Sequence, residues 1–277
     1  VYGVDAGTYL PGLNEEDEKI LWKLDWNIND DHRAAVTYQN TTGNTLRPQH
    51  TNSYGYGLSS HWYNNSQDLK TLSAQLYSSW TDEFSTEVKV AVKDNPTSQT
   101  PFAGEGLAQV RIENGKTDLY LGTDVYRHAN ELDNDALNID INGEYLMDEH
   151  SISFGIGYQK LDVFNMFVPY SLGEWKFDSI EDFRNKEASS FSYSNAYTGD
   201  AKDAAAEFSI KTFTLFVEDK WELNSDFWLN AGVRYEKVSV SGDIRTNTRY
   251  TGRYGFENTE TLDGADIVLP RVGFNWL

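Results

Sequence analysis

Phe213-Thr-Leu-Phe-Val-Glu-Asp-Lys-Trp221, then Leu223-Asn-Ser-Asp226, then Phe227-Trp-Leu-Asn-Ala-Gly-Val-Arg-Tyr235, reads as two apolar-alternating strands around a tight polar turn. Successive side chains of a strand point to opposite faces, so such a hairpin has one apolar and one polar face. The same pattern occurs upstream in Trp22-Lys-Leu-Asp-Trp-Asn-Ile28 with Ala34-Ala-Val-Thr-Tyr38. It recurs in Leu72–Trp80 with Phe84–Val92, and in Leu137–Tyr145 with Ile152–Tyr158. A further copy begins at Val268 and runs to Gly273-Phe-Asn-Trp276-Leu277. The turns are short and polar: Asn29–Asp31, Thr81–Glu83, Asp148–Glu149 and Asn224–Asp226.

Between hairpins lie long polar stretches, at residues 43–67, 94–134, 162–205 and 240–265. Short and long connections therefore alternate. Compact soluble domains seldom carry loops beyond about 12–15 residues. Outer-membrane β-barrels carry them by construction, with short periplasmic turns, long extracellular loops and strands alternating apolar-out with polar-in. Aromatic placement agrees. Trp26, Trp80, Tyr145 and Trp221 precede the short turns, and Phe84 and Phe227 follow them. Aromatic rings favour the membrane–water boundary, so these six are the expected interfacial girdle. The expected fold is all-β: an antiparallel transmembrane barrel segment of nine up-and-down strands, turns periplasmic and long loops outside.

Composition bounds the rest. The hydrophobic fraction of 39% suits a barrel with a polar lumen, and aromatics reach 14%. No stretch is apolar for long enough to form a spanning helix. A net charge of −20 argues against nucleic acid as a partner, because phosphate binding needs basic patches. The acidic runs Glu15–Glu18 and Glu131–Asp135 read as solvated loop surface, or as sites of divalent-ion bridging to lipopolysaccharide. With no cysteine, disulfides and thiolate chemistry are excluded. Val1 is not a Met, the last strand stops before a turn, and nine is an odd strand number, so the chain is expected to be part of something longer.

Signals for chemistry are sparse. No nucleophile elbow, phosphate loop or dinucleotide fingerprint is present, and no enzymatic activity is expected. The five histidines, His32, His50, His61, His128 and His150, show no metal-ligand spacing. His32 and His150 follow short turns at equivalent positions, which suggests a structural or interfacial role. Arg127, His128 and Asn130 form a compact polar group that either faces a ligand or packs a loop. Asp263-Gly-Ala-Asp266 is either an ordinary Asp-Gly turn or a partial Ca²⁺ site through Asp263 and Asp266, and no other cofactor is indicated.

The phrases Lys23-Leu-Asp-Trp-Asn-Ile-Asn-Asp30, Trp80-Thr-Asp-Glu-Phe-Ser-Thr86, Thr214-Leu-Phe-Val-Glu-Asp-Lys-Trp221 and Leu269-Pro-Arg-Val-Gly-Phe-Asn-Trp276 resemble strands of TonB-dependent outer-membrane receptors. Together with Arg127-His-Ala-Asn-Glu-Leu-Asp-Asn134, they are most similar to the Oar-like subgroup. The resemblance implies a barrel of about 22 strands in a Gram-negative outer membrane. It implies ligand-gated import of a scarce, bulky nutrient such as a siderophore, glycan or peptide. The expected partners are outer-membrane lipid and lipopolysaccharide, an extracellular ligand, and the TonB energy-transducing complex. Residues 1–277 would be a partial barrel domain, with the TonB-contacting N-terminal plug and the terminal strands outside it. Two other readings stay open: a passive porin or structural adhesin of the outer membrane, and a secreted soluble glycan-binding β protein. The soluble protein would pair its apolar faces with each other; a barrel would turn them to lipid.

Overall fold

The computed structural model describes residues 5–9, 15–103 and 106–277; Val1 lies outside them. Along the chain run β1 (Glu15–Asn27), β2 (His32–Arg47), β3 (Thr51–Asn52), β4 (Gly55–Gly57), β5 (Tyr63–Ser79), β6 (Phe84–Asp94), β7 (Pro96–Pro101) and β8 (Gln109–Ile112). Next come β9 (Asp118–Leu121), β10 (Asn130–Met147), β11 (His150–Phe167), β12 (Glu174–Phe177) and helix α1 (Ile180–Asn185). The remainder is β13 (Ser190–Ser192), β14 (Ala206–Asn224), β15 (Phe227–Gly242), helix α2 (Thr248–Tyr254) and β16 (Asp266–Trp276).

The long strands form one antiparallel sheet in the order β1-β2-β5-β6-β10-β11-β14-β15-β16, with β7 beside β5 and β10. β6 and β7 are one strand in two pieces. The register does not shift across the break: Lys70 faces Asp94 and Gln67 faces Thr97 on one side, Lys93 faces Ala136 and Pro96 faces Asp133 on the other. Pro96 has no N–H to give the ladder, and the Asn95 side chain donates instead to the Asp68 carbonyl at 2.8 Å. Counted so, the described residues form the nine spanning strands expected from the sequence.

Register explains the two faces, because directly opposed residues of an antiparallel pair share a face. One row crosses the sheet as Trp26, Ala34, Leu76, Val88, Ile141, Ile156, Leu215, Tyr235 and Val268. The adjacent row on the other face is Asp25, Ala35, Gln75, Lys89, Asp140, Gly157, Thr214, Glu236 and Ile267. The first row is apolar throughout; the second is mostly polar. Among the described residues no second layer covers the apolar face. Ile141, Ile156 and Leu215 keep 44%, 46% and 40% of their surface exposed in the middle of the sheet. A soluble sandwich would bury these side chains against a partner sheet; a wall facing lipid leaves them bare.

The apolar band has the height of a membrane. On its outward face it spans Phe84–Val92 in β6, Leu137–Tyr145 in β10 and Phe213–Trp221 in β14. That matches the roughly 9–11 residues a tilted strand needs to cross a bilayer. On the loop side the band stops abruptly. Lys160 faces Lys211, and two residues further out on the same face Asp135 faces Asp162, with Asp94 beside Asp135. On the other side the short turns close on their own side chains. Asn29 Oδ1 accepts from the backbone N–H groups of Asp31 and His32 at 2.9 and 2.8 Å, and Thr81 Oγ1 from those of Glu83 and Phe84 at 3.2 and 3.1 Å.

The structure corrects the expected extent of the connections. β2 runs to Arg47, β10 begins at Asn130 and β11 runs to Phe167, all within stretches read as loop. Beyond the hydrocarbon both strand faces are wet, so backbone pairing continues after the apolar alternation has ended. Asn40–Arg47 against Tyr63–Lys70 is such a segment, polar on both sides. The loops also carry structure. Three of them interleave as a six-stranded sheet, β13-β12-β8-β9-β4-β3, with β12 parallel to β8 and β4 parallel to β9.

Candidate functional site

The six aromatics expected at the membrane interface stand in a belt on the turn side of the wall. Trp26 and Trp80 are 60% and 58% exposed, and Tyr145 and Trp221 are exposed beside them, with Phe84 and Phe227 half-buried. The two histidines after the turns pack onto this belt. His32 meets Trp80 edge-on at 5.0 Å, and His150 stacks on Trp221 at 5.2 Å while pairing with Asp219 at 2.8 Å. Trp80 Nε1 donates to Thr86 Oγ1 at 2.9 Å.

The chemistry sits at the other end, where the loops form a cap. Here, among the described residues, lie most of the buried side chains: Ser60, His61, Trp62, Gln109, Ile112, Thr123, Asp124, Val125 and Phe177. A 3₁₀ turn, Ser59–His61, places His61 inward, and a second, Val125–Arg127, starts at Asp124. Between them runs Gly122, with φ +73 and a would-be Cβ only 2.2 Å from the Ala108 carbonyl oxygen. Only glycine fits there. Its N–H donates to Ser60 Oγ at 3.1 Å, and its carbonyl receives His61 Nδ1–H at 3.0 Å.

That bond fixes the tautomer of His61. With Nδ1 protonated, Nε2 offers a lone pair, and it faces His50 Nδ1 at 2.8 Å and Asp124 Oδ2 at 3.6 Å. His50 comes from the first loop with φ 50 and is held by stacking on Tyr120 at 3.9 Å. Burial holds the imidazole of His61 down at about 4 against its attraction to Asp124, and burial also lowers that of His50. At neutral pH both rings are therefore uncharged and able to donate lone pairs. Asp124 is 2% exposed. Its Oδ1 accepts from Tyr126 N–H and from Arg127 Nη1, both at 3.0 Å, which turns Oδ2 toward the imidazoles with no hydrogen-bond partner. His50, His61 and Asp124 are the one group of three potential metal-ligating side chains among the described residues. The histidines have no metal-ligand spacing along the chain, and the fold brings two of them together with Asp124. The three residues come from two loops, so no local spacing could reveal them.

The other residues singled out from sequence fall in two places. Arg127 lies in the cap, bound to Asp124 and stacked 4.0 Å over the Tyr63 ring. His128 is fully engaged: Nε2 donates to the Thr123 carbonyl at 3.0 Å and Nδ1 accepts from Leu172 N–H at 3.1 Å. Asn130 donates to Gln99 and to the Tyr126 carbonyl at 3.2 and 3.1 Å. All three touch loop structure. Asp263 and Asp266 act separately, the first accepting from Val240 N–H at 2.8 Å and the second from the Tyr235 hydroxyl at 3.1 Å. The cap also holds an apolar cleft of about 620 Å³, lined in part by Val110, Leu121, Trp175, Phe177 and Phe183, with Gly122 shared between it and the histidine cluster.

The fold resembles solved outer-membrane import proteins. Against the copper transporter OprC the TM-score is 0.53 at 11% identity, covering 94% of this chain and 34% of that one. Against the ferric-catecholate import receptor Fiu of E. coli K12 it is 0.54 at 12%, covering 98% and 44%. Against the ferripyoverdine receptor of Pseudomonas aeruginosa it is 0.55 at 13%, covering 95% and 34%. This chain thus spans a third to less than half of the length of these proteins. Comparison with curated proteins gives no match. The model of the outer-membrane β-barrel domain matches residues 6–275, in keeping with the bare apolar band and the polar face: the chain belongs to the outer-membrane β-barrel domain family and resides in the outer membrane.

Proposed function

We propose that this chain is an arc of the barrel wall of a TonB-coupled receptor that imports a scarce, bulky nutrient. The observation that carries the reading is the asymmetry of its two ends. Turns of two to four residues close one end, while three loops fold into a six-stranded cap with its own buried core at the other. A passive pore gains nothing from an ordered cap, whereas a receptor must present a shaped surface to its ligand. The import proteins of similar fold support the same class. In this reading the cleft walled by Trp175, Phe177 and Phe183 receives an apolar part of the ligand. Arg127, His128 and Asn130 keep the cap in shape beside it. The rows of lysine and aspartate outside the apolar band meet lipopolysaccharide, and TonB acts through an N-terminal plug. The expected role is transport and not catalysis.

Conductance tests this directly. The natural full-length protein in a planar bilayer bathed in KCl should pass no steady current, because a gated receptor is closed at rest. A stable open conductance without added ligand would favour a passive porin and defeat the proposal.

A further inference from the structure

We propose that His50 Nδ1, His61 Nε2 and Asp124 Oδ2 bind one divalent cation of the borderline class, such as Zn²⁺, that ties the first extracellular loop to the second. The inference does not depend on the transport reading. Its footing is geometric: three donor atoms from two loops lie within 4.8 Å of one another. His61 and Asp124 are almost wholly enclosed, and Asp124 Oδ2 is a buried oxygen with no hydrogen-bond partner. A buried carboxylate oxygen without a partner is costly, and buried charges are as a rule paired or metal-bound.

The donor set selects the ion. Two imidazoles and one carboxylate suit Zn²⁺ and its neighbours; Ca²⁺ and Mg²⁺ prefer oxygen throughout. With bonds of about 2.0–2.1 Å, a tetrahedral site needs donors roughly 3.3 Å apart. The His61–Asp124 separation of 3.6 Å is close to that, and the His50–His61 separation of 2.8 Å must open slightly. Without the ion, the short histidine–histidine contact is a hydrogen bond from His50 Nδ1–H to the His61 Nε2 lone pair. Binding the ion moves the His50 proton to Nε2 and frees Nδ1 to ligate, so no net proton need be lost. Outer contacts already orient two ligands, Gly122 carbonyl on His61 and Arg127 on Asp124. The three side chains leave a fourth position for water or a donor from a bound molecule.

The test titrates Zn²⁺ into the natural full-length protein, purified in detergent without a histidine tag, and reads affinity by calorimetry. Binding of one ion per chain with a sub-micromolar Kd is expected. Asp124→Asn keeps the oxygen that accepts from Tyr126 and Arg127, and His50→Gln alters only the half-buried ligand. Each should weaken Zn²⁺ by on the order of 100-fold or more, since loss of a supporting contact alone costs 10–100-fold. His32→Gln, at the girdle, should leave the affinity unchanged. Co²⁺ in place of Zn²⁺ should give the intense visible bands of a tetrahedral site, absent from both cap variants. Failure of the wild type to bind Zn²⁺ tighter than about 100 µM would overturn the proposal. So would unchanged affinity in the two cap variants. Retention of the heat-modifiable folded band on gels in all variants separates loss of a ligand from loss of the barrel.

Discussion

Ile141→Lys should destabilise the folded barrel by about 2–4 kcal/mol, while Asn142→Lys, one residue along the same strand, should cost much less. Ile141 sits midway along the outward band Leu137–Tyr145, in the row between Val88 and Ile156, and is exposed to what the wall faces. A lysine there must leave its ammonium in hydrocarbon or carry it several residues to an interface. Asn142 points to the other side, where its strand partners are Glu87 and Gly155. A lysine there meets a carboxylate in a polar lumen. Denaturant unfolding of the full-length protein in lipid vesicles measures the difference. Equal costs at the two positions would mean that both faces meet the same environment.

The second large effect belongs to the cap. Gly122→Ala puts a methyl group 2.2 Å from the Ala108 carbonyl oxygen and also forces an L side chain to φ +73. The backbone conformation alone costs on the order of 1–2 kcal/mol. The overlap cannot be relieved by a side-chain rotation, because the clashing atom is backbone. Residues 108–109 must move, and with them Gln109, which accepts from Val125 N–H at 3.0 Å, and His61, which is held by the Gly122 carbonyl. The combined loss should exceed about 3 kcal/mol of local stability, read as faster amide exchange across Ser59–Trp62 and Gly122–Arg127. Gly115→Ala is the control. Gly115 has φ +66 but nothing within 4 Å of its would-be Cβ, so only the conformational cost remains. If the two variants behave alike, Gly122 is not the close approach on which the cap is built.

The division between what the sequence shows and what it hides follows the solvent. Within the bilayer, Val88, Val90 and Val92 must alternate against Glu87, Lys89 and Ala91, and Trp80 and Trp221 mark where the alternation begins. Strand identity, turn positions, the lipid-facing side and the girdle are therefore legible. Past the band both faces are wet and that signal ends, so the outer halves of β2, β5 and β10 pass for loop. The cap is hidden for another reason. Its ladders join β4 to β9 and β8 to β12, residues some sixty positions apart on short strands with no periodicity long enough to read. The same distance conceals the meeting of His50 and His61 with Asp124. Arg127 and His128 are visible in the sequence as a polar group and lie next to Asp124 in the fold, whereas nothing in the sequence around Asp124 marks it out.

One face of this wall meets lipid and the other water. The 277 residues contain no cysteine, so a single introduced one carries a nitroxide label without competition from this segment. Labels at Val88, Ile141, Ile156 and Leu215, in the full-length protein reconstituted in lipid, should be relaxed strongly by oxygen, which concentrates in hydrocarbon, and weakly by a water-soluble nickel chelate. Labels at Lys89, Asp140 and Thr214 should show the reverse. This two-residue alternation should run along β6, β10 and β14 between the aromatic belt and the aspartates. Equal accessibility to the nickel chelate on both faces would contradict it.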